Sequence, residues 1–376
     1  MIRSVLLSVV SLIIMAASAS ATPEIQAKQA ILYDMTTGVV LYEKNPDELV
    51  PPSSMTKIMT VYLIFDELKS GRLNLSDTFL ISEQAWRTGG SKMFVKVGDR
   101  VSIDDLLRGT IVQSGNDATV ALAEGFAGSE GAYAEEMTRR AHELGAVSAT
   151  FKNASGLPAE GHVCSVRDLL KIAEATIRNF PDFYAYYKQT KFTYAGIEQM
   201  NRNPLLYSMP EADGLKTGFT DAGGYGLVAS AVQGNRRLIM VINGSPSMKQ
   251  RAQDAESLMR WGLSYFTSIK IYDPLAIATE ADVWMGSEAR VPLVVKDAVY
   301  VTMPRAQVRD LKVALVYTNP IQAPVKLGQP VGHVEISVPG REPQRIPLLA
   351  GKEVPRAGFF KRMMGAFRYL LFGRSA

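Results

Sequence analysis

Ser54 and Lys57 stand three residues apart in the stretch Pro51-Pro52-Ser53-Ser54-Met55-Thr56-Lys57. Residues at that spacing are neighbours on a helix, which puts an amine beside a hydroxyl. A lysine so placed can activate a serine nucleophile without a histidine. The Ser-x-x-Lys pattern occurs once in the chain, and alone it reads as a helix cap followed by a solvated lysine. Two later triplets change its weight. Ser114-Gly115-Asn116 begins 60 residues after Ser54. It offers a hydroxyl able to relay a proton and an amide able either to bind a substrate carbonyl or to fix the lysine. Lys216-Thr217-Gly218 begins 102 residues further on. Its lysine and threonine can hold a carboxylate, and its glycine removes a side chain where a substrate backbone must come close. An extended peptide can add to such a strand edge.

Other chemistries have less to work with. The three histidines, His142, His162 and His333, are scattered, which argues against a histidine metal site and against a Ser-His-Asp triad. Cys164 is the single cysteine, so no internal disulfide forms. Only His162 lies near it, and a catalytic thiol is not expected there. No metal or cofactor is expected.

The elements that must position these residues are legible in outline. Residues 28–44 read as two strands joined by a turn at Thr36-Thr37-Gly38. Helical patterning covers 55–69, 103–113, 116–127, 130–145 and 165–179. Strand-like runs follow at 191–195, 213–218, 226–232 and 237–242, broken by Gly223-Gly224 and Gly234-Asn235. A helix over 252–266 closes the segment. Strands at both ends of a helical block imply one antiparallel sheet flanked by helices, an α+β layered domain. After about residue 268, short strands alternate with Pro/Gly turns (269–272, 278–283, 291–295, 298–303, 312–317, 333–337), with no helical pattern before the tail. That is a small all-β domain without a cluster of catalytic residue types.

Both termini carry signals of their own. Arg3, the apolar stretch Val5 to Met15 and Ala19-Ser20-Ala21 read as a cleavable secretory signal over 1–21. The net charge of +4 is concentrated in the last 22 residues, which carry five basic side chains and no acid. Without those five and Arg3, 35 basic side chains face 37 acidic ones, so a nucleic-acid surface is not supported. Phe359, Phe360, Met363, Met364, Phe367, Leu370 and Leu371 follow helical spacing, with Lys361, Arg362 and Arg368 opposite. This tail, 353–376, suits an interfacial anchor on anionic lipid; the competing reading is a helix packed on the body.

The three motifs, in this order, are those of the penicillin-binding proteins and class A β-lactamases. With Leu107-Arg108-Gly109, Gln113 to Ala118, Asn201-Arg202-Asn203 and Asp213 to Gly218, the chain resembles the D-alanyl-D-alanine carboxypeptidases, the low-molecular-mass penicillin-binding proteins. The resemblance covers nearly the whole mature chain. It implies a β-lactamase/transpeptidase-like domain over 22–267, the all-β domain over 268–352 and the amphipathic helix. It implies release of the terminal D-alanine from peptidoglycan stem peptides at the periplasmic face of the inner membrane, with β-lactams acylating the same serine. Ser54 would be the nucleophile, Lys57 its base, and Ser114 and Asn116 would complete the proton path and position the substrate. Lys216, Thr217 and Arg251 would meet the terminal carboxylate, beside Gly218. Backbone N–H groups of Ser54 and Phe219 would form the oxyanion hole. Relatives often carry histidine where Phe219 stands, which puts deacylation speed in question. A β-lactamase reading lacks the Glu-x-x-Leu-Asn loop of class A. The same site would also serve a sensor that acylates and stalls, or an endopeptidase that cuts cross-links.

Overall fold

The computed structural model describes residues 22–372, so the expected signal segment at 1–21 lies outside the described residues. The first domain is built on a five-stranded antiparallel sheet. Its spatial order is Val39–Lys44, Gln29–Asp34, Arg236–Ser245, Gly224–Gln233 and Ala212–Thr220. The expected hairpins are present: Gly38 closes the first turn at φ +73, and Gly234 the last at φ +60. The N-terminal hairpin pairs with Arg236–Ser245, more than 200 residues later in sequence. Strands from both ends of the domain therefore share one sheet, with Ala212–Thr220 at its open edge.

One face of the sheet carries the helical block. Helices Lys57–Lys69, Ile103–Ile111, Asn116–Ala127, Glu130–Glu143 and Val166–Asn179 pack there around Met59, Phe65, Leu107, Leu122 and Tyr133. Helix starts are set by local chemistry. Ser102 accepts from Asp105 N, and Ser165 with Asp168 forms a reciprocal capping box. Lys57–Lys69 is buried along most of its length, as a helix at the centre of such a layer must be. Helix Met248–Tyr265 covers the opposite face through Leu258, Met259 and Trp261. It starts four residues earlier than the sequence pattern predicts because Ser247 accepts from Gln250 N.

That helix runs straight into strand Phe266–Tyr272, which pairs with Val299–Pro304 in the second domain. A six-stranded sheet completes this domain around Val291, Leu293, Val334 and Leu348. Three features depart from expectation: a 3-10 turn at Arg305–Asp310, a two-residue strand at Ile321–Gln322 and a longer additional strand at Gln344–Ala350. The longer strand escapes sequence reading because Pro347 interrupts it and its first half is exposed.

A polar junction ties the two domains. Buried Asp34 accepts from Arg236 Nε at 2.6 Å, from Thr302 Oγ1 at 2.9 Å and from Ser268 Oγ at 3.1 Å. Arg236 Nη1 also donates to the carbonyls of Gly262 and Phe266.

Candidate active site

Ser54 lies in a 3-10 turn, Ser53–Thr56, that leads directly into Lys57–Lys69. The expected continuous helix from residue 55 is thus corrected to a tight turn followed by an α-helix, a common way for helix ends to close. Met55 N donates to Pro52 O at 3.1 Å. Ser53 adopts φ +52, a left-handed conformation that costs a non-glycine residue about 1–3 kcal/mol. Ser114 shares it, at φ +65. Two strained serines therefore border the same point, as strain at functional sites does.

Lys57 is fully buried, and its Nζ lies 3.0 Å from Ser54 Oγ, 2.7 Å from Asn116 Oδ1 and 2.6 Å from Ser155 O. Burial is the main reason its pKa falls from 10.5 to about 7; Arg202 lowers it further, while Glu130 and Asp117 act the other way. As an ammonium it donates to all three. A pKa of about 7 also leaves a neutral form, whose two N–H bonds can stay on Asn116 Oδ1 and Ser155 O while its lone pair faces the Ser54 hydroxyl.

The second motif sits at a helix start. Gly115 N donates to Gly109 O at 2.9 Å, and Asn116 N donates to Ser91 O at 2.7 Å, which fixes the turn before Asn116–Ala127. Of the two roles open to the asparagine, the amide oxygen takes the lysine and Nδ2 donates to Gly89 O at 2.7 Å. Ser114 Oγ is buried without a hydrogen-bond partner among the described residues. Asp117 accepts from the backbone of Met93, Phe94 and Val95, holding the adjoining loop.

The third motif lies on the open edge strand. Lys216 is buried, and its Nζ has one long contact, 3.4 Å to Thr217 O. Burial, then Lys57, Arg202 and Arg251, push its pKa well below the ordinary lysine value. Thr217 is buried beside it. Gly218 has a different use from the one its motif suggested. A Cβ there would lie 3.0 Å from Pro52 O and 3.1 Å from Ser53 Cβ. The missing side chain lets the strand press against the nucleophile turn.

Arg251 is buried on helix Met248–Tyr265, with Nη2 3.5 Å from Arg202 O and no partner for Nε among the described residues. Burial lowers its pKa to about 10, with Arg202 adding to the fall. Its guanidinium lies over the Tyr225 ring at 6.0 Å, and Phe219 stacks on that ring at 4.2 Å. Lys57, Lys216, Arg202 and Arg251 thus influence one another across a cleft, and none forms an ion pair among the described residues.

The residues singled out by sequence are brought together: Lys57 meets Ser54 and Asn116, Gly218 packs on the nucleophile turn, and Phe219 and Arg251 meet at Tyr225. Three contributors carried no usable signal. Ser155 acts through its carbonyl, which no side-chain pattern reveals. Arg202 lies in a motif stretch but had no assigned role; Nη1 donates to Ser91 Oγ at 2.6 Å. His162 accepts from Lys152 N at Nδ1, so Nε2–H donates to Thr56 Oγ1 at 2.9 Å. Burial, with Lys152 and Lys57 nearby, lowers its pKa to about 4 and keeps it neutral in this anchoring role.

The family described as D-alanyl-D-alanine carboxypeptidase matches residues 15–247, and that described as penicillin-binding protein 5, C-terminal domain, matches 266–356. The chain is similar to D-alanyl-D-alanine carboxypeptidase DacC of Escherichia coli, 40% identical over 349 residues that cover 91% of this chain and 87% of that protein. Among solved structures, penicillin-binding protein 5 from Haemophilus influenzae aligns with TM-score 0.82 and 35% identity, covering 89% of this chain and 99% of that one. Penicillin-binding protein D2 from Listeria monocytogenes, in its ampicillin-bound form, aligns with TM-score 0.59 and 29% identity, covering 64% and 98%.

Proposed function

Since the chain belongs to the D-alanyl-D-alanine carboxypeptidase family, we propose that its cleft removes the terminal D-alanine of peptidoglycan stem peptides through an acyl-enzyme on Ser54. The observation that carries this reading is the set of contacts around Lys57. A buried lysine with a pKa of about 7 lies 3.0 Å from Ser54 Oγ, and in its neutral form it can keep its N–H bonds on two carbonyl oxygens while its lone pair takes the Ser54 proton. In the first step Ser54 Oγ bonds to the scissile carbonyl carbon while its proton passes to Lys57 Nζ. Backbone N–H groups of Ser54 and Phe219 take the oxyanion. Collapse breaks the C–N bond, and a proton from Lys57, relayed by Ser114 Oγ, neutralises the departing D-alanine amine. Water then attacks the ester, gives its proton to Lys57, and Ser54 Oγ leaves with a proton restored.

Asn116 orients the lysine. Lys216, Thr217 and Arg251 bind the substrate's terminal carboxylate, and the lack of any acidic partner for these cations among the described residues supports that assignment. β-Lactams carry a carboxylate and a strained amide, and they acylate the same serine; the ampicillin-bound relative supports this partner. The matches at 15–247 and 266–356 support a catalytic domain over 22–267 and an all-β domain over 268–352. We further propose that the chain is exported and that helix Phe359–Phe372 lies on anionic lipid. Phe360 is 79% exposed and Met364 63%, while Lys361 Nζ donates to Ser287 O at 2.7 Å, so apolar side chains face away from the body. No helix among the described residues is long and apolar enough to cross a membrane.

Purified protein incubated with a pentapeptide ending in D-Ala-D-Ala should release D-alanine, and Ser54→Ala should abolish both that release and labelling by a fluorescent penicillin. Absence of D-alanine, or an active Ser54→Ala variant, rejects the assignment.

A further inference from the structure

A cavity of about 310 Å³ opens at the junction between the two domains, and nothing in the proposed reaction uses it. The register of Phe266–Tyr272 against Val299–Pro304 builds one wall. Ser268 stands opposite Thr302, and Lys270 opposite Tyr300, so the four side chains share one face. Ser268 and Thr302 donate to buried Asp34, while Lys270 and Tyr300, two residues along, line the cavity. The first domain adds Gln233, Asn235 and Arg236 from the turn at Gly234, and Arg305 comes from the 3-10 turn that follows the strand pair.

None of the nine lining residues is acidic, and three are cations. Asp34 takes the Nε–H of Arg236 and two carbonyls take Nη1, which leaves buried Nη2 without a partner among the described residues. Arg305 donates only to the carbonyls of Ser264 and Leu263, whereas Arg108, Arg167, Arg178 and Arg260 each pair with a carboxylate. Lys270 has Asp273 at 2.6 Å, outside the lining. The Tyr300 hydroxyl and the side-chain amides of Gln233 and Asn235 have no hydrogen bond among the described residues. The one carboxylate behind this wall, Asp34, already accepts from Arg236, Ser268, Thr302 and the backbone of Thr36, so its charge is spent within the fold.

We propose that this cavity is an interdomain site for a small phosphate ester, with the phosphate among Arg236, Lys270 and Arg305 and the hydroxyls of the ester at Asn235 and Gln233. Guanidinium and ammonium donors without an acid among them suit a dianion with three free oxygens. The amides donate and accept, as hydroxyl groups require. The volume lies at the lower end of small-ligand sites, about 300–1,000 Å³, and exceeds what a bare ion fills. Because its walls belong to two domains, a ligand held there adds to the stability of the folded chain by mass action. The inference does not depend on the carboxypeptidase reading.

Glycerol 3-phosphate, inorganic phosphate and glycerol, each compared with sodium chloride at matched ionic strength, separate charge from hydroxyl recognition. Glycerol 3-phosphate at ten times its dissociation constant should raise Tm by about 2–4 °C. Inorganic phosphate should bind about threefold more weakly, for want of the hydroxyls, and glycerol should have no effect. Lys270→Gln and Arg305→Gln should each weaken glycerol 3-phosphate binding about tenfold in titration calorimetry, the loss of one charged hydrogen bond. Lys216→Met, which removes a cation from the catalytic cleft instead, should leave that binding in place. No shift beyond the chloride control overturns the proposal, and so does equal affinity for phosphate and glycerol 3-phosphate, which leaves no role for the ester. Binding that survives both Lys270→Gln and Arg305→Gln but is lost in Lys216→Met puts the anion in the catalytic cleft and overturns it as well.

Discussion

Lys216 and Arg236 are buried cations on strands of one sheet, yet their surroundings differ in kind. Arg236 at the domain junction has Asp34 at 2.6 Å, and two backbone carbonyls accept from its Nη1. Lys216 in the cleft has a single 3.4 Å hydrogen bond among the described residues, and Lys57, Arg202 and Arg251 lie near enough to depress its pKa. Removing a charge from water costs several kcal/mol unless a partner compensates. The junction supplies its partner from within the fold. Under the proposed function the cleft leaves the compensation to a ligand that brings a carboxylate, so its instability in the free protein becomes part of its binding capacity.

Breaking the paired region should give the largest stability change. Arg236→Met leaves Asp34 buried with hydroxyl and backbone donors but no counter-charge, which should cost about 3–5 kcal/mol. Urea denaturation measures the loss, and turnover per folded molecule should stay at the parent value. A variant as stable as the parent would remove the contrast altogether. The same change at the unpaired site should act in the opposite sense. Lys216→Met deletes an uncompensated cation, so Tm should rise by about 2–4 °C for each kcal/mol relieved. Its kcat/KM for a D-Ala-D-Ala peptide should fall about 10- to 100-fold with loss of a charged hydrogen bond to the carboxylate. A lowered Tm would mean that Lys216 is satisfied in a way its contacts do not indicate.

Lys57 allows a finer test, because its depressed pKa links catalysis and stability through pH. The competent form is the neutral amine, so kcat/KM should rise tenfold per pH unit below about 7 and level off above it. The folded protein binds fewer protons at this site than the unfolded chain between about 7 and 10.5. Stability relative to Lys57→Met should therefore increase as pH climbs through that window. An activity limb centred near the ordinary lysine value would show that burial does not tune this amine.

How far the sequence reaches follows the same division. The cleft was legible because Ser54, Lys57, Ser114, Asn116, Lys216 and Thr217 carry their chemical groups on side chains at recognisable spacings. Ser155 was not, since a carbonyl oxygen is common to every residue and only the fold brings it 2.6 Å from Lys57. Gly218 was legible as a position without a side chain, but the fold decides that the vacated space belongs to the nucleophile turn. The junction was invisible. Asp34, Arg236, Ser268 and Thr302 converge only because the N-terminal hairpin pairs with a strand 200 residues away, a non-local pairing that no periodicity encodes. Helix interiors were read well and their ends less so, because capping by Ser247 or a 3-10 turn before Lys57 depends on a few hydrogen bonds rather than on an apolar stripe.

Phe219 gives the smallest effect and bears on the cleft alone. Its ring is half exposed and stacks on Tyr225, whose other neighbour is the Arg251 guanidinium. The ring contributes packing beside the proposed oxyanion site, and it cannot move a proton. An imidazole there could assist water in attacking the Ser54 ester, but half exposed and held only by stacking it would be less firmly oriented than a buried, positioned base. The gain should therefore lie well below the 10²–10⁴ of a positioned base, about three- to tenfold. Phe219→His should shorten the lifetime of the penicilloyl adduct by that factor, followed by intact mass spectrometry, while the acylation rate changes little. Phe219→Ala, which removes the ring without adding a base, should not shorten it. Equal lifetimes for all three proteins would show that deacylation is limited by water access or by Lys57, and that the aromatic residue at this position is neutral to turnover.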